Sequence, residues 1–391
     1  LVLLLLALVA APWVASGEDA GPLLRGPFVS VDGKATTVDV VVDGAQSVKL
    51  LASWGGKTVS APFETVAGKR MRARLELPAA SVVDYDVVAA SGSLAHGRLD
   101  TLPERGSKEL HFCAIGDSGW PRKGDGLATN DQLAIARLLE EQHPSLVVHV
   151  GDIVYLVGQP KSFDALFFRP YAATLARVPF LMTLGNHDVM TKNGAPTLDD
   201  FPYPQNQNGN RFYSFDAANV HFTCLDSNGV LEAGTESAFK ETPQGKWLEQ
   251  DLAGTSADWK IVFCHHPMYS CTKNHKRDLA IMQASLDRIL DEAGVDFVLT
   301  GHDHYYHRSV RMRGGKADER GIVHLITGGG GAPLTQGEPQ NGSLTAAFAS
   351  RYHMTRFDVS GRSMHIQALG LSPDGKTECF DDATITTRKV R

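Results

Sequence analysis

From Leu110 to Thr327 the chain repeats one pattern, in which short, mostly apolar runs are separated by longer segments, several with helical periodicity. The runs read "LHFCAIG", "SLVVHVG", "FLMTLG", "VHFTCLD", "WKIVFCH", "VDFVLTG" and "IVHLITG". Strands that are apolar on both faces have to be covered on both faces, and intervening helices supply that cover. The pattern therefore predicts a layered α/β domain, β-sheets flanked by helices. Three helices are marked. One covers Asn130 to Gln142. A second takes Thr242 as N-cap and Pro243 as first residue, ahead of "QGKWLEQDLAG". The third, "RDLAIMQASLDRILDEAG", sets Leu279, Met282, Leu286, Ile289 and Leu290 on one face before Gly294 ends it.

Ahead of Pro103 the texture is different. "TTVDVVVDG", "SVKLLASW", "KRMRARLEL" and "DYDVVAAS" are short and separated by Gly, Ser and Pro. The third alternates, with Met71, Ala73, Leu75 and Leu77 on one face and Arg70, Arg72, Arg74 and Glu76 on the other. This predicts an all-β sandwich of the fibronectin III kind, serving as a packing or substrate-shaping module. A chain of 391 residues exceeds one ordinary core. The expected division is a signal peptide at 1–16, the β-sandwich at 17–106 and the α/β domain at 107–391.

The leading run "LVLLLLALVAAPWVASGEDA" is apolar and ends in small residues, with Val14 and Ser16 at the −3 and −1 positions of a cleavage site. Export to a secreted or periplasmic location is expected, with no membrane attachment once the leader is removed. A membrane anchor is the rival, and the run is short for a span. A net charge of −6 gives no basic footprint for nucleic acid. Of five cysteines, Cys113, Cys224 and Cys264 sit in apolar runs as small hydrophobes, and Cys264 could bridge to Cys271 across one loop.

Several apolar runs end in glycine followed by metal-capable side chains. These are Asp117 in "AIGDSG", Asp152 and Tyr155 in "HVGDIVY", Asn186, His187 and Asp188 in "TLGNHD", and His302 and His304 in "LTGHDH". His265 and His266 follow "VFC". Singly, each is an ordinary turn sequence. His149, His221, His324 and His365 lie within strand runs and are read as structural. Open α/β sheets bind ligands at the carboxyl ends of their strands, so five such loops are expected to converge. Carboxylate, imidazole, amide and phenol donors suit iron, zinc or manganese, and so many donors suit two ions sharing a carboxylate. In "GHDH", extended backbone would put His302 and His304 on one side, one for each ion, with Asp303 turned away.

The ordered set "GDSG", "GDIVY", "GNHD", "VFCH" and "GHDH" resembles the five blocks of the calcineurin-like metallophosphoesterases, and Tyr155 resembles the purple acid phosphatases among them. The likeness runs from about Ala114 to Arg308, and a sandwich in front is similar to the larger members. The resemblance implies that Asp117, Tyr155 and His304 hold ferric iron and that Asp152 bridges. Asn186, His265 and His302 would hold a divalent ion, either iron, zinc or manganese. His187 and His275 would face substrate, with His266 competing for the latter role. It further implies hydrolysis of small phosphate monoesters in acid, by direct in-line attack of a metal-bound hydroxide. The rivals are a phosphodiesterase or nucleotide pyrophosphatase using the same site, and a secreted phosphate- or metal-binding protein without turnover. The sequence departs from the pattern at Asp303, at Trp120 and Pro121, and in the short sandwich. "TGGGGAPL" from Thr327 is expected to be a rim loop of the site; a phosphate-cradling loop is the weaker reading, since no Lys-Ser or Lys-Thr pair follows it.

Overall fold

The computed structural model describes residues 23–388 apart from 33–34, 43–46, 202–208, 210, 273, 340–343 and 373. The expected leader and its cleavage site lie outside the described residues.

The first unit is a sandwich of two four-stranded antiparallel sheets. One runs Leu23–Asp32, Ala35–Val42, Arg70–Leu75, Glu64–Ala67 in spatial order. The other runs Lys57–Pro62, Val48–Trp54, Val82–Ala89, Gly92–Asp100. Alternation decides which side chains meet between them: Val38, Val40 and Ala73 from one sheet pack with Leu50, Ala52, Val83 and Val87 from the other. On the opposite face Arg72 reaches the buried Asp39 at 2.9 Å. The sandwich is fastened to the second unit. Arg25 pairs with Asp164 and Asp200 at 2.6 and 3.0 Å and covers the Phe168 ring, Phe28 packs against Phe168, and the Tyr85 hydroxyl donates to the Ala176 carbonyl.

The second unit stacks two mixed sheets face to face. A six-stranded sheet runs Phe180–Met182, Leu146–His149, Glu109–Ile115, His353–Ser360, Ser363–Leu371, Thr377–Thr386, and its first three strands are parallel. In the eight-stranded sheet Val220–Cys224, Trp259–Phe263, Phe297–Thr300 and Ile322–Thr327 are parallel neighbours. Between the sheets Phe112 stacks on Phe357 at 4.5 Å and meets the edge of Phe222 at 5.2 Å. Helices close the outer faces. Asn130–Glu141 buries Ile135 and Leu139. Pro243–Gly254 and Lys276–Glu292 bury Leu248, Leu252, Met282, Leu286 and Leu290 against Val262 and Val298. Thr242 caps as expected, its hydroxyl accepting from the Gly245 amide at 3.0 Å. The architecture is the expected sandwich followed by an α/β domain. No helix among the described residues is long and apolar enough to cross a membrane.

One open alternative closes and one local expectation is corrected. All five cysteines are free thiols, Cys264 and Cys271 included, with Cys264 in the apolar core beneath its strand. The glycine run at 328–331 is not a rim loop: it is buried beneath the first loop of the site, where the Gly330 and Ala332 amides donate to the Gly116 and Asp117 carbonyls. Only backbone without side chains fits there, since a Cβ at Gly330 would overlap the Gly116 carbonyl.

Candidate metal centre

The parallel strands of both sheets end on the same side of the molecule, and their loops interlock. Asp117 follows Glu109–Ile115, Asp152 and Tyr155 follow Leu146–His149, and Asn186 and His187 follow Phe180–Met182. From the second sheet His265 follows Trp259–Phe263, and His302 and His304 follow Phe297–Thr300. His265 crosses the gap, donating from Nδ1 to the Val150 carbonyl at 2.9 Å. Asp117, Asp152 and His302 have φ of 57°, 51° and 68°, left-handed backbone that non-glycine residues adopt at a cost of about 1–3 kcal/mol. The extended backbone expected at "GHDH" is therefore absent. The left-handed turn at His302 is what sends the two imidazoles to different partners.

Two triads of donor atoms result. In the first, the Tyr155 hydroxyl lies 3.0 Å from His304 Nε2 and 3.2 Å from Asp117 Oδ1, and His304 Nε2 lies 3.5 Å from Asp117 Oδ1. In the second, Asn186 Oδ1 lies 3.0 Å from both His265 Nε2 and His302 Nδ1, and these nitrogens are 3.3 Å apart. Asp152 stands between them, with Oδ2 3.4 Å from His265 Nε2, and Asp117, Asp152 and His265 form one compact buried group. Ligand atoms around a cation with bonds of about 2.0–2.2 Å sit about 3.0–3.5 Å apart, so both triads have the spacing of a coordination shell. The buried Asp/His cluster fits a dimetal site.

The imidazoles are oriented by backbone carbonyls. His304 donates from Nδ1 to the Pro333 carbonyl at 2.8 Å, and Thr335 Oγ1 accepts the His304 amide, as His265 uses Val150. No sequence signal marks Val150 or Pro333 for this, because a carbonyl belongs to every residue. Asp188, offered as a donor by its motif, turns inward and accepts from the Gly185 and Ile153 amides at 2.8 and 3.0 Å, locking the Asn186 turn. Glycine at 185 is required by space: a Cβ there would overlap Asp152 Oδ1.

Electrostatics follow from charge gathered without water. Burial works to raise Asp152, but His265 and His187 overcome it and hold its carboxyl below the usual range. Burial works to lower His265, yet Asp152 and Asp117 push it up to about 10. Burial raises both Asp117 and Tyr155, the latter helped by the carboxylates beside it. Burial and the neighbouring imidazoles lower His302 to about 3.

The two histidines expected to face substrate flank this set. His187 bonds through Nδ1 to the Leu156 carbonyl at 2.5 Å, its ring 4.5 Å from that of Tyr155 and its Nε2 4.0 Å from Asp152. His275 pairs through Nδ1 with Asp303 at 3.0 Å and lies 4.2 Å from the His302 ring. Asp303, turned away from the triads as expected, also accepts from Ser270. His266 is held by Ser227 at 2.8 Å and is almost wholly buried, which removes it from the mouth. Of the strand histidines, His149 bonds Ser118, His221 lies between Asp216 and Asp251, His365 pairs with Asp382, and His324 is buried against Tyr269.

The double sheet thus carries a set of metal-capable donors at its strand ends. Residues 110–306 match the family model described as calcineurin-like phosphoesterase, and the chain belongs to that family. Its curated relatives include purple acid phosphatase 18 of Arabidopsis thaliana, 33% identical over 46% of this chain and 42% of the relative. They also include purple acid phosphatase 23 of the same plant, 27% identical over 63% and 58%. The chain thus spans about half the length of the curated relatives it matches. Among solved structures it is similar to the yellow lupin (Lupinus luteus) purple acid phosphatase PPD1, with a TM-score of 0.80 at 18% identity over 92% of this chain and 74% of that one. It is also similar to PhoD, with a TM-score of 0.68 at 12% identity over 96% and 92%. At these identities the likeness is one of fold.

Proposed function

We propose that the chain is a dinuclear acid phosphatase that hydrolyses small phosphate monoesters outside the cytoplasm, export resting on the apolar leading run alone. The observation that carries the catalytic reading is the pair of donor triads with Asp152 between them and the Tyr155 phenol in one of them. A phenol beside a carboxylate and an imidazole suits ferric iron, and the amide and two imidazoles of the other triad suit a divalent iron, zinc or manganese. In this reading Asp117, Tyr155 and His304 would hold the first ion and Asn186, His265 and His302 the second, with Asp152 within reach of either. When bound, the two ions supply a nucleophilic water at low pH and neutralise the phosphoryl charge.

The chain's own groups do the rest. Asp152, held anionic by His265 and His187, keeps negative charge in the pocket. His187, its Nδ1 fixed on the Leu156 carbonyl, keeps Nε2 available for a phosphoryl oxygen. His275, steadied by Asp303, holds a proton at Nε2 for the leaving oxygen. The test is turnover of 4-nitrophenyl phosphate against bis(4-nitrophenyl) phosphate at acid and neutral pH, with metals assayed on the same sample. Monoester turnover strongest in acid with iron present supports the reading. A preference for the bis-ester would overturn it in favour of a phosphodiesterase.

A further inference from the structure

Six large apolar side chains stand exposed among the described residues, and three of them, Leu127 (42%), Leu156 (53%) and Met190 (61%), lie on the loops that flank the donor set. The other three, Leu24, Val66 and Val82, are spread over the sandwich. Scattered exposed apolar residues need no explanation, but several gathered beside a polar site do.

Each of the three is placed by the site itself. Leu156 follows Tyr155, and its carbonyl is the group that holds His187. Met190 lies three residues beyond His187 at the end of the helical turn Asn186–Val189, which puts the two on one face. These two arms are tied together by the Thr191 hydroxyl, which donates to the Val157 carbonyl. Leu127 comes from the loop after Asp117, where Pro121 pairs with Ala128 and the Arg122 amide donates to the Leu127 carbonyl. Side chains alternate across such a ladder, so Leu127 and Trp120 share the face opposite the buried Ala128. The half-buried Trp120 ring lies 5.0 Å from that of Tyr155. Other residues around the donor set are polar, with His275 paired to the buried Asp303 and Thr335 bonded to the His304 amide.

We infer that Trp120, Leu127, Leu156 and Met190 form a wall that docks the organic part of the ester, and that the substrate is the phosphate of a bulky apolar alcohol, aromatic above all. This deepens the phosphatase reading and rests on it. A phosphoryl group seated beside Asn186 and His187 carries its ester oxygen out past Leu156 and Met190, and an aromatic ring on that oxygen meets apolar surface continuous with Trp120. A glycerol or sugar moiety there would gain nothing from the wall.

The test replaces two of the exposed side chains together, Leu127→Gln and Met190→Gln, neither of which is a donor, a proton carrier or a residue that holds one. In the unaltered protein kcat/KM for 1-naphthylmethyl phosphate should exceed that for glycerol 2-phosphate, whose alcohol leaves about as readily, by about tenfold or more. In the double variant that ratio should fall severalfold while glycerol phosphate turnover holds. Calorimetry with phenylphosphonate and methylphosphonate reads the same preference without turnover. If neither ester is hydrolysed, the phosphatase reading falls and the phosphonate pair still decides the wall. Equal affinities for the two phosphonates, or an aryl preference undiminished in the double variant, overturns the inference. A preference unchanged while the variant shifts from dimer to monomer in sedimentation overturns it in favour of a second copy of the chain on this face.

Discussion

The His302 amide donates to both carboxylate oxygens of Asp117, at 3.1 Å each, so the last loop of the eight-stranded sheet is bound directly to the first loop of the six-stranded one. The donor set is thus an interface between two sheets, and neither sheet carries a complete triad. Anything that shifts one sheet against the other should disperse the donors before it unfolds either half.

Asp152 stands between the two triads, so in the proposed dinuclear site Asp152→Asn should lower bound metal from two ions per chain to one or none. Elemental analysis after dialysis checks this. Two ions retained would move the shared position to another residue.

Tyr155→Phe removes the phenol oxygen and leaves the packing against Trp120 and His187 in place. The iron-loaded protein should lose its visible absorption band, while its unfolding free energy falls by only about 0.5–1.5 kcal/mol for each hydrogen bond lost. A band that persists would place another ligand on the iron.

His187→Asn should keep both ions, since His187 Nε2 stands 4.0 Å from Asp152 and outside both triads. Its kcat should fall by about 10²–10³, the usual cost of losing one group that stabilises charge on a transition-state oxygen. Loss of metal instead would make His187 a ligand.

Gly185→Ala would drive a methyl group into Asp152 Oδ1 and its amide, whereas a Cβ at Gly254 meets nothing. The first variant should lose metal affinity and about 1–3 kcal/mol of stability, and Gly254→Ala should lose neither. Denaturant midpoints with and without chelator separate the two effects.

His221 gives a pH signature remote from the centre. Burial works to lower it, but hydrogen bonds and charge from Asp216 and Asp251 push it up to about 9 from 6.5. A folded pKa above the unfolded one stabilises fully below pH 6.5, and that stability is lost as pH rises through 9. The raised pKa corresponds to about 3 kcal/mol. His221→Gln should flatten this descent, and urea midpoints at pH 6 and pH 9 measure it.

Much of this protein was legible in its sequence because the signals were local. Both-face apolar runs required a covered sheet, Met71, Ala73 and Leu75 required a sandwich face, and Thr242 with Pro243 required a helix start. Glycine before Asp117, Asp152, Asn186 and His302 marked the turns. The tertiary structure decided what locality cannot. It chose which donors meet, by stacking two sheets so that Asn186 of one lies between His265 and His302 of the other. It also bent His302 out of the extended backbone that period two predicted, buried the glycine run under Asp117 instead of at the rim, and turned Asp188 from a donor into a brace. Most of these outcomes depend on packing between segments well separated along the chain, whose energy no short window of sequence contains.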